Sequence, residues 1–103
     1  MKQFDVCRIA SGASKKSERL IVILQHPHID QLDTILAAPL YSPNDLAMIT
    51  RIRVMVRINR RTYVVAVDRL AAVSTKQIGG PVANLEKHRE EISRAWDLLF
   101  FGF

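Results

Sequence analysis

Cysteine is almost absent from this chain: Cys7 stands alone. One thiol cannot close an internal disulfide, so a reducing compartment fits. Long apolar runs are missing too, and no stretch approaches the roughly 18 residues needed to cross a bilayer as a helix. The opening MKQFDVCRIA lacks the long apolar segment of a secretory leader. These absences lead to the expectation of a cytoplasmic protein with no membrane partner. Repeats, low-complexity tracts and linkers are also lacking. So are a nucleophile elbow, a Walker loop, a dinucleotide fingerprint and a zinc-ligand spacing. No catalytic residue, cofactor or resident metal is expected. His26 and His28 flank Pro27 with Asp30 nearby, but a clear third and fourth ligand is wanting, and the segment reads as a polar loop.

What is present describes one globular domain over residues 1–103. Hydrophobic residues make up 49% and charged residues 24%, which is folded rather than disordered composition. A net charge of +5 suits either nucleic acid or an acidic protein partner and does not choose between them.

The patterning predicts a first strand in QFDVCRI, a loop over 11–18 and a β-branched strand in RLIVILQ (19–25), buried on both faces. Pro27 breaks the pattern. A further strand is expected over 34–41, with Pro39 near its end, then a turn or a short helical turn in SPNDLAMI from Ser42. In TRIRVMVRIN (50–59), alternation places Ile52, Val54, Val56 and Ile58 on one face and Arg51, Arg53, Met55 and Arg57 on the other. NRR turns the chain into a strand over 62–68, a short strand follows over 71–78, and GGP (79–81) is expected to end the sheet. The period then changes. Leu85, Ile92, Trp96 and Leu99, with Ala95, recur at helical spacing after Asn84 as N-cap, giving one C-terminal helix of about four turns. Glu86, Glu90 and Glu91 suit its positive end, Asp97 opposes the dipole, and Gly102 ends it.

Two surface features carry chemistry. The stripe Arg51, Arg53 and Arg57 is either a solvated sheet face or a landing strip for carboxylates or phosphates. The closing FFGF either folds back onto the core or a dimer interface, or presents an aromatic anchor to a partner. His88 borders the apolar helix face, and Cys7 reads as a small buried hydrophobe.

The residues then gain a context. QF with Val6, RLIVILQ followed by ID, PL at 39–40, and the whole tail IGGPVANLEKHREEISRAWDLLFFGF resemble the CcdB family, toxins of plasmid-addiction toxin–antitoxin pairs. The likeness runs the full length. It implies a mainly β fold, an antiparallel SH3-like barrel with a C-terminal α-helix, assembled as a homodimer. It implies a poison, not an enzyme, that binds the A subunit of DNA gyrase and traps the gyrase–DNA cleavage complex without needing DNA contact of its own. It also implies plasmid maintenance, and a CcdA-like antitoxin whose acidic disordered arm removes the toxin and joins it in transcriptional autoregulation. Carried onto this chain, the gyrase-binding residues are Phe101, Gly102, Phe103, Asp97, Gln3, Phe4 and Ile29. On charge grounds, Arg8, Lys15, Lys16, Arg51, Arg53 and Arg57 are expected to meet the antitoxin.

The chain departs from the family pattern at this same end. Phe101 and Phe103 replace tryptophan and isoleucine, Asp97 replaces asparagine, His28 replaces one of two isoleucines, and Cys7 replaces a tyrosine. Two other readings therefore stay open: a ribonuclease toxin on the same fold, as in the MazF family, with the arginine stripe on RNA, or a relative that binds antitoxin without poisoning gyrase.

Overall fold

The hairpin of β4 (Arg53–Ile58) and β5 (Arg61–Ala66) shows how local chemistry sets the architecture. Ile58 pairs with Arg61, leaving Asn59 and Arg60 as a two-residue turn. Both take positive φ, 48° and 69°, as in a type I′ turn, whose twist matches that of the flanking strands. The computed structural model describes residues 2–9, 19–26, 33–45 and 51–102. The expected loop at 11–18, with Lys15 and Lys16, and Pro27, His28, Ile29, Asp30 and Phe103 lie outside the described residues.

The other strands are β1 (Asp5–Ile9), β2 (Arg19–Ile23), β3 (Thr34–Tyr41), β6 (Ala71–Ser74) and β7 (Ile78–Asn84). They pair antiparallel in the order β4-β5-β3-β2-β1-β7, with β6 added to β3. The sheet curls into a half-barrel, and one helix, α1 (Arg89–Phe101), completes the fold. This is the mainly β fold with a C-terminal helix that the sequence led us to expect. No helix of the described residues is long and apolar enough to cross a membrane.

The strand β2 is buried on both faces, as its β-branched run predicts. Val22 and Leu24 join the core beneath α1, while Ile21 and Ile23 join a second cluster with Cys7, Ile35 and Ala37. Pro39 sits inside β3 because partners change there. β6 covers Thr34–Ala37 on one side, β5 takes over at Leu40, and the missing N–H falls between them.

Four expectations need correction. GGP does not end the sheet; Gly79, Gly80 and Pro81 lie within β7, an edge strand, where proline is tolerated. Gly79 also runs close to β1, since a Cβ there would sit 3.3 Å from the Arg8 carbonyl oxygen. The strand expected over 62–68 stops at Ala66, where Val67–Arg69 tightens into a 3-10 turn. The strand expected over 71–78 divides into β6, a 3-10 turn at Thr75–Gln77 and the start of β7. Asn84 caps a lead-in rather than the helix: its Oδ1 accepts the Glu86 N–H at 2.8 Å, Glu86–His88 forms a 3-10 turn, and α1 begins only at Arg89.

The helix lies on the sheet through Ile92 and Ala95, both buried. Burying an isoleucine of this kind contributes about 1.5–3 kcal/mol. Leu85, in the lead-in, is buried with them. Gly102 ends the helix as expected, with φ 78° and ψ 8°, and its N–H reaches the Leu98 carbonyl at 3.0 Å.

Candidate functional site

The segment before β1 is laced to three parts of the molecule. The Phe4 N–H donates to Ile23 O at 2.7 Å, and the Leu85 N–H donates to Phe4 O at 2.8 Å. The buried Asp5 carboxylate accepts from the Lys2 N–H at 2.8 Å and from Asn84 Nδ2 at 2.9 Å. Gln3 Nε2 donates to Leu24 O at 2.9 Å. These bonds hold Phe4 at φ 69°, a region bulky residues rarely enter. Strain held by its surroundings concentrates at functional sites.

A cavity of about 290 Å³ opens there, lined by Gln3, Phe4, Leu24, Gln25, Trp96 and Asp97, among others. Three residues expected on the gyrase-facing end, Gln3, Phe4 and Asp97, thus border one space. Phe101 follows Asp97 by one helical turn, so the two share a side of α1. Phe101 is 64% exposed. Trp96 and Phe100 pair nearby with centroids 4.4 Å apart and planes tilted by 39°. Leu99 stands on the same helix side as buried Ile92 and Ala95, yet it is 38% exposed. The last turn of α1 is therefore an apolar end with little sheet beneath it. Ile29 and Phe103, the other two expected contacts, lie outside the described residues.

The arginine stripe does not survive as one outer face. Met55 and Arg57 are exposed as alternation predicts, but Arg53 is only 7% exposed. The reason is its position at the entry of β4. Arg53 pairs with Ala66, and the 3-10 turn that follows Ala66 brings Asp68 to it. Arg53 Nε donates to Asp68 Oδ1 at 3.1 Å and NH2 donates to Oδ2 at 3.0 Å. This fork holds the Asp68 carboxyl below its ordinary range, against the opposing effect of partial burial, and raises the Arg53 guanidinium. Arg51, at φ 78° just before β4, borders a larger cleft of about 660 Å³ with Arg53, Met55, Arg94, Leu98 and Gly102. Arg57 lines a third depression with Lys87 and His88. Arg8 is exposed on β1 and borders none of these three.

Sequence reasoning did not single out Arg94 or assign Trp96 to the site. The spacing of Arg94 from Leu98, and of Trp96 from Phe100, four residues each, was the available signal. His88 caps the core edge and meets Glu91 Oε1 through Nδ1 at 3.0 Å. Cys7 is buried, and burial pushes its thiol up, away from the reactive thiolate. Among the described residues, no group of three or more His, Cys, Asp or Glu side chains is placed to hold a metal.

A curled antiparallel half-barrel under a C-terminal helix, with an aromatic helix end turned to solvent, defines a class: a small, mainly β domain closed by a C-terminal helix. The family model described as CcdB protein matches residues 3–102, and the chain belongs to the CcdB family, toxins of toxin–antitoxin systems. No curated protein matches it.

Proposed function

We propose that this protein binds the A subunit of DNA gyrase and traps the enzyme on cleaved DNA, acting as a binding poison with no catalysis of its own. The observation that carries the reading is the exposed Phe101, one helical turn from Asp97, which borders a cavity with Gln3 and Phe4. An exposed aromatic at a helix end can enter a partner pocket at low entropic cost, and its face attracts a guanidinium. Gly102, left-handed, ends the helix directly after Phe101.

The active form is a homodimer in this reading, supported by the exposed Leu99 and Phe100, an apolar patch beside Phe101 of the kind that marks an interaction surface. The cognate antitoxin carries an acidic disordered arm. The net charge of +5, with Arg51 and Arg94 around the larger cleft and Arg57 beyond it, supports charge-steered capture. Gyrase and antitoxin are met in the cytoplasm.

The test is toxicity on induced expression in a strain lacking antitoxin, comparing the chain with Phe101→Ala. Growth arrest relieved by the substitution, and by co-expressed antitoxin, supports the reading. Equal arrest by both forms contradicts it. Sedimentation equilibrium should give twice the monomer mass.

A further inference from the structure

Tyr41 lies on the face of the sheet away from α1. It packs on Val64 and Ala66, while their strand neighbours Val65 and Val67 enter the core beneath the helix. Two guanidinium groups converge on this one phenol. Arg19, at the start of β2, places its Cζ 5.6 Å from the ring centroid and its NH1 3.4 Å from the hydroxyl oxygen. Arg69, in the 3-10 turn after β5, places its Cζ at 5.4 Å and its NH1 at 3.5 Å. The antiparallel register that pairs Ile21 with Pro39 sets Arg19 opposite Tyr41, so the approach is fixed by the strands.

Among the described residues, this cluster has positive charge and donors to spare for an anion. Two like charges are held about one oxygen, which costs energy unless a counter-charge sits between them. Among the described residues, no carboxylate lies within ion-pair distance of Arg19 or Arg69. Asp68, the neighbour of Arg69, has both oxygens engaged by the Arg53 fork and offsets part of the Arg69 charge from beyond ion-pair distance. A phenol oxygen that accepts from two arginines still has its own hydrogen to donate. Each guanidinium uses one N–H on the phenol and keeps further donors for a ligand.

We propose that Arg19, Tyr41 and Arg69 form an oxyanion clamp that takes a phosphate group. The two forks meet its oxygens from either side, and the Tyr41 hydroxyl donates between them. The clamp lies apart from the helix end assigned to gyrase, so it stands or falls independently of that reading.

The experiment is side-chain NMR of the full chain, following the Arg Nε–Hε and Tyr ring signals during titration with inorganic phosphate, with chloride holding ionic strength constant. Saturable shifts at Arg19, Tyr41 and Arg69 are expected. Arg19→Gln and Arg69→Gln should each weaken binding roughly tenfold, as loss of a charge-assisted donor set implies. Tyr41→Phe should weaken it about threefold to tenfold, by removal of one neutral donor. Both arginines are exposed, so an unchanged amide fingerprint in the variants establishes that the fold persists. Shifts that rise linearly without saturating, or that persist unchanged in the Arg19→Gln, Arg69→Gln double variant, would overturn the proposal. Short DNA strands with and without a 5′-phosphate, added as competitors, identify the source. Displacement by both assigns the clamp to backbone phosphates, and displacement by the phosphorylated strand alone to a terminal phosphate; either result supports the clamp.

Discussion

The Arg53 guanidinium and the Asp68 carboxylate meet through a two-bond fork at 3.1 and 3.0 Å, joining the first residue of β4 to the turn that leaves β5. The pair turns an arginine from a surface stripe into a structural strut. Removing either partner takes the two-bond fork from the other in a partly buried setting.

This strut gives stability a defined pH dependence. The Asp68 carboxyl titrates lower in the folded chain than its ordinary value of 3.8, because Arg53 hydrogen-bonds the charged form. Its contribution is therefore present above that value and is lost as pH falls through the lower folded value. Urea midpoints measured from neutral pH down to about pH 2 should fall in the wild type on this account. Asp68→Asn should be less stable at neutral pH and should show a shallower fall. Matching slopes would remove the pair from the stability account.

The inner face of α1 should separate core from docking end. Ile92→Ala should destabilise the chain by about 2–5 kcal/mol, as for other buried large-to-small changes. Leu99→Ala, on the same helix side but partly exposed, should cost less than about 1 kcal/mol. Denaturant unfolding reads both. Leu99→Ala should instead weaken dimerisation, read by sedimentation.

Gly102 is predicted to matter for its backbone. At φ 78°, an alanine side chain meets strain of about 1–2 kcal/mol. Among the described residues, apart from its chain neighbours, no atom lies within 4 Å of a Cβ at this position, so space is not the obstacle. Gly102→Ala should therefore fray the end of α1 and reduce gyrase affinity, and Gly102→Asn should recover most of the loss. Helicity by circular dichroism and a gyrase binding titration check the two halves.

Phe101 should show an aromatic ranking. Phe101→Ala should weaken gyrase binding by about 2 kcal/mol or more, roughly thirtyfold, as for a hot-spot anchor. Phe101→Trp should strengthen it, because the larger ring is the better partner for a guanidinium. Neither should move the thermal midpoint much, since Phe101 is largely exposed. Equal affinity among all three would show that the ring makes no contact.

Much of the fold was legible because period and burial agree. The β-branched run of β2 announced burial on both faces, and Ile92 and Ala95 announced the inner side of α1. What escaped notice depended on neighbours distant in sequence. Pro81 reads as a breaker until β7 is known to be an edge strand. Arg53 reads as a surface residue until the turn carrying Asp68 folds over it, fifteen residues away. At the candidate site, Phe101 and Asp97 came to notice through the resemblance to the CcdB family. The cavity joining Asp97 to Gln3 and Phe4 did not, because it exists only once the first strand and the last helix are packed together.

The most direct test is a DNA-cleavage assay with purified gyrase, ATP and this protein, run beside the folded Phe101→Ala variant. Linear DNA with the wild-type chain and little or none with the variant is the predicted result. No cleavage product from a folded dimer of the wild-type chain would contradict gyrase poisoning, and equal product from both forms would contradict the role of Phe101.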